Sequence, residues 1–312
     1  MNGHDKKERA DVVILTYHPD ERFTECIRRL KKQAEPPGHI YVVNTRTDCF
    51  PEEVERMEGV TVKHIDREEF DHGATRDMGF SLSDAGIVIF MTQDALPADK
   101  ELTANLVRSL LDSEKIGISY ARQLPAKDCG MIERYTRNFN YPNESRVKGQ
   151  EDISELGIKT FFCSDVCAAY KRSIYQEMGG FIRHTIFNED MIMAAKMVRA
   201  GYQIAYAAEA RVVHFHNYTG RQQFRRNFDM AVSQADHPEV FAGISSEAEG
   251  IRLVLHTARY LLKKKKPHLI VELIYKSGCK YLGYKMGRNY RRLPLWIVKK
   301  CSLSRAYWEK TC

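Results

Sequence analysis

Short apolar runs alternate with amphipathic helical segments through the first 125 residues, and this alternation limits the fold more than any other feature. The runs with the length and composition of strands are 12–15, 40–43, 60–65, 87–91 and 116–121. The segments with helical spacing of apolar residues are 21–34, 73–85 and 100–111. Strands that alternate with helices form a mainly parallel sheet with helices on both faces. The sequence therefore predicts an α/β fold of the Rossmann-like kind.

Polar residues lie at the ends of three of these predicted strands, namely Thr16, Asn44 and Asp94. In parallel sheets, ligands bind at the carboxyl ends of the strands. A single carboxylate there is useful when a divalent ion must neutralise a diphosphate, because phosphates and waters supply the remaining oxygen ligands of Mg²⁺ or Mn²⁺. The competing interpretation of Asp94 is a turn residue before Leu96-Pro97, where Asp is common.

Residues 126–185 are less regular, with a predicted strand at 161–170, and a clear helix is expected at 188–200. Asn188 is the expected N-cap, and Gly201 follows the last turn. Glu189 and Asp190 begin this helix. Acidic residues in a first turn complement the helix dipole. Asp190 is alternatively a general base that deprotonates an acceptor hydroxyl.

Two histidines, His214 and His216, end a predicted strand at 211–214, which follows another at 204–206. Alternate residues of a strand share a face, so both imidazoles are candidates for the metal site of Asp94. An imidazole ligand favours Mn²⁺ over Mg²⁺. We expect one ligand, His214, and the alternative is that a histidine only bonds backbone.

The segment from Asp71 to Arg76 opens a predicted helix and contains Gly73, which permits close backbone approach. A helix N-terminus attracts anions, so Arg76 is a candidate contact for a phosphate or a ribose. The alternative is a solvated helix start.

Charge is distributed unevenly. The chain has 48 basic and 41 acidic residues, yet residues 251–312 hold 16 Lys and Arg against only Glu272 and Glu309. This tail is predicted to be helical from Ser246 onward, with breaks at Pro267 and Pro294, and it interleaves cations with aromatic residues. Such helices lie on anionic membranes. A solvated face packed on the domain is the second interpretation and nucleic-acid binding the third, since no nucleic-acid motif accompanies the charge.

Nothing in the sequence predicts export or a membrane span. The sequence has no apolar run of about 18 residues, and the polar first 11 residues do not match a secretory signal. The eight cysteines are scattered without a Cys-x-x-Cys pair, which favours reduced structural thiols. We therefore expect a cytoplasmic protein that is peripheral on the inner face of the cell membrane.

In order and spacing, these motifs resemble glycosyltransferase family 2, the inverting GT-A transferases, over roughly residues 10–235. Several stretches are most similar to bacterial rhamnosyltransferases of cell-surface polysaccharide synthesis. They are Phe70–Arg76, Thr92–Ala95, Ala121–Pro125, Asn188–Asp190 and His214–Thr219. The stretch Val12–Tyr17 resembles the first strand and nucleotide-contacting turn of the family as a whole.

The resemblance implies a GT-A domain at 10–240, with a nucleotide-binding half at 10–125 and an acceptor-binding half at 126–240, followed by the helical basic C-terminal region at 241–312. It implies that Asp94 holds the metal and that Asp190 is the catalytic base of a single displacement. Contacts with the substrates are expected at Thr16, Tyr17, Asn44, Arg76, Gln93, Arg122 and Glu189.

The implied donor is dTDP-L-rhamnose and the implied acceptor a lipid-linked glycan, with no nucleic-acid partner. The chain departs from the family in having Gln93 and Ala95 beside Asp94, where a second Asp is frequent, Asn44 where Asp is common, and Asp77 where Asn is usual. Two alternatives remain open. The first is a different donor sugar, such as galactofuranose, glucose or N-acetylglucosamine, and the second is a non-catalytic, basic-tailed binding protein.

Overall fold

A computed structural model of the protein describes residues 10–242 and 247–310. The chain divides into two compact units. Unit 1 comprises the residues up to Ala126 together with Tyr141–Arg183 and Glu189–His214, and unit 2 comprises Lys127–Asn140, His184–Asn188 and the residues from Phe215 onward. The polar N-terminus before residue 10, Ser246 at the expected helix start and Cys312 lie outside the described residues. The predicted domain boundaries at 125/126 and 240/241 stay predictions.

Unit 1 is built on one sheet, whose described strands are β1 (Ala10–Thr16), β2 (Ile40–Thr45), β3 (Val60–Ile65), β4 (Ile87–Thr92), β5 (Leu96–Pro97), β6 (Ile116–Leu124), β7 (Arg146–Lys148), β8 (Cys167–Lys171) and β9 (Gln203–Val213). The strand order is β3-β2-β1-β4-β8-β6-β9-β5, and β7 pairs with β9. The first four strands in this order are parallel to one another. Because β8 is antiparallel to β4 and β6, the whole sheet is mixed. The predicted α/β fold is confirmed.

Helices flank this sheet. Those of unit 1 are Glu21–Lys31, Glu52–Glu55, His72–Leu82, Leu102–Leu111, Ile153–Leu156, Arg172–Glu177 and Glu189–Arg199, with 3₁₀ turns at Gln150–Asp152 and Gly157–Phe161. Asp20 and Asp71 cap two of them, each accepting a hydrogen bond from a first-turn N–H. Gly201, after the last helix, has a φ of 90°, the left-handed conformation expected of a residue that ends a helix.

Two local predictions need correction. The segment 161–170 is a strand only from Cys167, because a turn closed by the hydrogen bond from Cys167 N to Ser164 O precedes it. The strands predicted at 204–206 and 211–214 are one strand, β9. A bulge joins them, since Ala121 of β6 pairs with Ala207 and the next residue, Arg122, with Arg211. Alternating polarity is lost at such a bulge, which hides the continuity.

The core of unit 1 lies between the sheet and its helices. Buried apolar side chains come from β1, from the helix Glu21–Lys31 and from the helix Leu102–Leu111. Val12, Ile14 and Phe23 are fully buried. A strand covered on both faces reads as a continuous apolar run, which is why the sequence located β1 and β4 well.

Unit 2 is helical. Its helices are Met131–Asn140, Gly220–Asp236, Pro238–Phe241, Glu247–Lys263, Leu269–Arg288, Leu295–Cys301 and Arg305–Lys310, with a 3₁₀ turn at Tyr290–Arg292. The predicted interruptions near Pro267 and Pro294 are confirmed, because helices end at Lys263 and Arg288 and resume at Leu269 and Leu295. Among the described residues, no helix combines the length and apolarity needed to cross a membrane.

Two glycines allow the helices Gly220–Asp236 and Leu269–Arg288 to pack at close range. A Cβ at Gly283 would lie 2.1 Å from the carbonyl oxygen of Phe224, and one at Gly287 would lie 2.3 Å from that of Phe228. Backbone carbonyls cannot rotate away as a side chain can, so any larger residue at 283 or 287 would force the helices apart. The basic region is therefore a packed part of unit 2.

Candidate active site

The carboxyl ends of β1 and β2 are joined by a chain of buried polar side chains. Thr16 Oγ1 donates to Asn44 Oδ1 at 2.8 Å, and Asn44 Nδ2 donates to His64 Nδ1 at 3.0 Å. Thr16 and Asn44 are almost fully buried. Both polar groups of the Asn44 amide thus have partners within the protein. These hydrogen bonds hold together the carboxyl ends of β1 and β2, where a nucleotide contact was predicted.

Tyr17 and Gln93 form a second link across this edge. The backbone N–H of Tyr17 donates to Gln93 Oε1 at 2.8 Å, and Gln93 Nε2 donates to the carbonyl oxygen of Tyr17 at 2.9 Å. Gln93 therefore extends the pairing of β1 with β4 beyond the last strand residues, while the Tyr17 ring remains 45% exposed. An exposed aromatic ring at a strand end is available for stacking against a ligand.

Short strand β5 brings Asp94 and His214 together. Leu96 pairs with Val213 of β9, so the turn that follows β4 is held against the end of β9. Asp94 lies two residues before Leu96, the first residue of β5, and His214 directly follows Val213. As a result, His214 Nε2 lies 3.4 Å from Asp94 Oδ2. The predicted partnership of these two residues is present in unit 1, and His216 belongs to unit 2.

Gln123 sets the orientation of the His214 ring. Gln123 Nε2 donates to Ser164 Oγ at 3.0 Å, so its carbonyl oxygen Oε1 is the atom that faces His214 Nδ1 at 2.9 Å. That oxygen accepts, and Nδ1 must therefore carry the hydrogen. Metal-binding histidines are commonly held in this way by a second residue that fixes the tautomer.

The donor set fits a divalent cation. With hydrogen on Nδ1, the neutral His214 ring turns the lone pair of Nε2 toward a carboxylate oxygen of Asp94, and two acceptors at 3.4 Å repel unless a proton or a cation lies between them. Their nitrogen and oxygen atoms are close enough to share one ion. One carboxylate and one imidazole suit Mn²⁺ better than Mg²⁺, which prefers oxygen ligands alone.

A second cluster of charged groups surrounds Arg76. Its Nη1 lies 2.8 Å from Glu189 Oε1 and its Nε lies 3.1 Å from Asp165 Oδ2. All three side chains are at most 10% exposed, so the guanidinium neutralises buried carboxylates and thereby stabilises the start of the helix Glu189–Arg199. Gly73, one turn earlier, is needed for packing, because a Cβ there would lie 1.9 Å from the carbonyl oxygen of Ile182.

Asp190 is the carboxylate of this cluster that keeps partial solvent exposure. Its Oδ1 accepts from Met191 N at 2.7 Å, and its Oδ2 accepts a long bond from Asp165 N at 3.3 Å. Removal from water, together with the negative charges of Asp165 and Glu189, raises the pKa of Asp190 to about 8. A raised pKa gives a carboxylate the proton affinity that a general base needs near neutral pH.

Arg122, predicted as a substrate contact, lies on β6, where its guanidinium donates to Asn143 Oδ1 while Nε is buried without a hydrogen-bond partner among the described residues. The sequence analysis missed Asp165 and Gln123 as site residues. Burial raises the pKa of Asp165 to about 6, against the opposing charge of Arg76. Asp165 lies in a turn before β8, and no motif marked it. Gln123 lies in the stretch Ala121–Pro125, which resembles the rhamnosyltransferases, but the sequence analysis assigned it no role.

Comparison with known proteins identifies the family of the chain. The model of the family "Glycosyl transferase family 2" matches residues 11–179. The O-antigen chain rhamnosyltransferase RfbN of Salmonella typhimurium is 39% identical over 307 residues, which are 96% of each chain. The O-antigen chain rhamnosyltransferase WbaN of Salmonella anatum is 36% identical over 303 residues, which are 96% of this chain and 95% of that protein.

Solved structures show the same fold at low identity. The mannosyltransferase PcManGT from Pyrobaculum calidifontis, in complex with GDP-Man and Mn²⁺, is 15% identical with a TM-score of 0.57, covering 96% of this chain and 85% of that one. TarS 1–349 of S. aureus is 13% identical with a TM-score of 0.51, covering 91% of each. These likenesses show a GT-A fold, and the family match together with the two relatives leads to one conclusion: the chain belongs to glycosyl transferase family 2 and is a glycosyltransferase.

Proposed function

We propose that the protein transfers L-rhamnose from dTDP-L-rhamnose to a hydroxyl of a lipid-linked cell-surface glycan, with inversion, at the inner face of the cell membrane. The observation that carries this proposal is the likeness over 96% of the chain to two proteins named O-antigen chain rhamnosyltransferases. Identity at this level over the whole length extends to unit 2 as well as to the sheet that holds the candidate site.

Asp190 is the proposed base. Its carboxylate takes the proton of the acceptor hydroxyl while that oxygen attacks the sugar carbon that bears the diphosphate. The C–O bond to the acceptor forms as the bond to the diphosphate breaks, so one displacement inverts the carbon. Arg76 supports this role through Asp165 and Glu189, because it keeps two further carboxylates beside Asp190 in place.

Asp94 and His214 are the proposed ligands of the divalent ion, with Gln123 holding the ring. When bound, Mn²⁺ or Mg²⁺ supplies neutralising charge to the diphosphate leaving group. Tyr17, Gln93, Thr16 and Asn44 are proposed to form the edge on which the nucleotide lies. Arg122 is proposed as a contact of the substrates.

The decisive measurement is release of nucleoside diphosphate from a panel of donors. The panel is dTDP-L-rhamnose, UDP-galactofuranose, UDP-glucose, UDP-N-acetylglucosamine and GDP-mannose, each with Mn²⁺, with Mg²⁺ and with a chelator. We expect the highest turnover with dTDP-L-rhamnose and loss of turnover with the chelator. Preferred turnover of another donor would refute only the assignment of the sugar. Full activity in the presence of chelator would refute the requirement for a divalent metal ion.

The exposed run Lys263–Lys266 is proposed to bind the anionic membrane surface. Each cation near such a surface contributes about 1 kcal/mol, so changing the four lysines to glutamine should release the protein from anionic liposomes in a flotation assay. Deletion of the tail would be a poorer test, because Val298 and Trp308 belong to the buried cluster of unit 2. Neutral liposomes are the control, and flotation that survives the four substitutions would exclude this run as the attachment.

A further inference from the structure

A cavity of about 960 Å³ lies within unit 2. Residues of four helices line it, namely Met131–Asn140, Gly220–Asp236, Glu247–Lys263 and Leu269–Arg288. Its volume is at the upper end of the range for small-molecule sites, about 300–1,000 Å³. None of the candidate active-site residues, all of which belong to unit 1, is among the residues that line this cavity.

The wall of this cavity is mostly apolar, and several of its apolar side chains face solvent. Leu273 is buried at 5% exposure, whereas Ile251, Leu255, Ile274 and Tyr281 are each more than half exposed. Exposed large apolar side chains around a cavity mark a binding site for an apolar partner. A glycan, which is covered with hydroxyl groups, would leave these side chains in contact with water.

The wall contains two acidic and two basic residues, and their ion pairs leave one of the lysines, Lys280, as the remaining cation. Two of the lining residues are acidic, and each already has a cation, since Glu133 pairs with Arg137 at 2.9 Å and Glu272 with Lys276 at 2.7 Å. Lys280 also lines the cavity, and among the described residues its ammonium group makes no hydrogen bond and no ion pair. A positive charge on the wall of a mostly apolar cavity favours an anionic ligand.

The surroundings of Lys280 disfavour its charged form. Burial lowers the pKa of Lys280, and the nearby charges of Lys276, Arg137 and Arg226 lower it further, while Glu133 opposes them. A bound anion would reverse the effect by stabilising the ammonium form. The cavity therefore combines two features. Its apolar wall favours a hydrocarbon chain, and the ammonium group of Lys280 favours an anion.

We propose that this cavity binds a single membrane lipid that carries a phosphate group, with the hydrocarbon chain along the apolar wall and the phosphate at Lys280. The lipid is taken from the bilayer to which the proposed function assigns the protein. The inference rests on that assignment for its source of lipid, and the binding itself is independent of sugar transfer.

The test uses the full-length protein and dodecyl phosphate as the probe, at concentrations below those at which it forms micelles. Dodecyl maltoside has the same chain with an uncharged head, and inorganic phosphate has the head without a chain. Isothermal titration should give one site for dodecyl phosphate, weaker binding of the maltoside and no measurable binding of phosphate alone. Equal binding of dodecyl phosphate and the maltoside would overturn the assignment of the phosphate.

Two variants locate the ligand. Lys280→Gln should weaken dodecyl phosphate binding at least about 10-fold, the usual effect of removing a charge-assisted hydrogen bond. Lys285→Gln is the matched control, because Lys285 is on the same helix but does not line the cavity. If both variants bind as the wild type does, the phosphate does not lie at Lys280.

Gly278→Phe tests the apolar part. Gly278 lines the cavity, and an added Cβ there meets no atom within 4 Å, so the larger side chain has open space to occupy. Binding of dodecyl phosphate should fall at least about 10-fold, and unchanged binding would exclude the cavity as the site. Nucleoside diphosphate release is measured on the same preparations, so a failure of sugar transfer with lipid binding intact would refute the proposed function and leave this inference standing.

Discussion

Replacing Asp190 with asparagine removes one charge and no volume, which makes it the sharpest perturbation of the proposed mechanism. The carboxylate sits next to Asp165 and Glu189, whose negative charges disfavour its ionised form, and Arg76 opposes them only partly. Asparagine retains an oxygen that can accept from Met191 N. It cannot take a proton from an acceptor hydroxyl, so the chemistry is lost while the local packing is preserved.

The expected loss of turnover is about 10²–10⁴-fold, the usual contribution of a general base. For the wild type, the rate should rise with pH through about 8, because only the deprotonated carboxylate is active and its pKa is raised to that value. The variant should lack this rise. Its residual activity then depends on the remaining interactions with the substrates.

The folding stability of the wild type should depend on pH in the opposite direction to its turnover. A folded-state pKa above the ordinary value means that the wild type is stabilised when Asp190 is protonated and loses that stability as the pH rises from about 4 to about 8. The asparagine variant does not titrate there. Its free energy of unfolding should therefore exceed that of the wild type at pH 9, and the difference should shrink as the pH falls from about 8 to about 4.

The assay pairs steady-state turnover with urea unfolding at pH 5, 7 and 9. Asp112→Asn is the matched control, since Asp112 is exposed at the end of a helix and should alter neither quantity. Full turnover of Asp190→Asn would show that Asp190 is not the base. A stability difference that stays constant with pH would show that the carboxyl is not titrating in the folded protein as the surrounding charges require.

Three further predictions concern the groups that hold the site and unit 2. Arg76→Met should destabilise the protein by about 3–5 kcal/mol in urea unfolding, because two buried carboxylates lose their cation, and an unchanged midpoint would contradict this. Gly283→Ala should destabilise unit 2 by about 1–3 kcal/mol through its clash with a backbone carbonyl, whereas Gly278→Ala in open space should stabilise the same helix by about 0.5–1 kcal/mol. The two tryptophans, both in unit 2, report this unfolding by fluorescence, and equal effects of the two substitutions would refute the packing argument. Gln123→Leu should weaken Mn²⁺ binding about 10–100-fold, measured by titration calorimetry, because the ring of His214 loses the acceptor that fixes its tautomer; undiminished affinity would exclude that role.

Much of the fold was predictable because its determinants are local. Strands buried on both faces need apolar side chains at every position, so β1 and β4 stand out as continuous runs. Amphipathic spacing located the helix Glu21–Lys31 in the same way. The turn before β8 and the bulge of β9 were missed, since only long-range pairing decides where these strands begin and end.

The site was predictable only in part, because two of its residues act through partners distant in sequence. Asp165 matters for its ion pair with Arg76, 89 positions earlier, and nothing in the adjacent residues indicates it. Gln123 matters for its bond to His214, which is 91 positions away. Asp190 and Asp94, in contrast, could be identified from adjacent residues, because one lies at a predicted helix start and the other at a predicted strand end.

The distances around Asp94 explain how one carboxylate can suffice where the family frequently has two. A lone aspartate in a turn would be mobile and solvated, and its affinity for a divalent ion would be low. Here the pairing of Leu96 with Val213 fixes the turn against β9. The bond from Gln123 then presents the Nε2 lone pair of His214 to the carboxylate at 3.4 Å. In the proposed metal site, an imidazole held by the sheet would take the place of a second acid. This predicts a site that binds Mn²⁺ more strongly than Mg²⁺ and that loses the preference in His214→Asp. Competition between the two ions in the calorimeter measures this, and equal selectivity of wild type and variant would show that His214 is not a ligand.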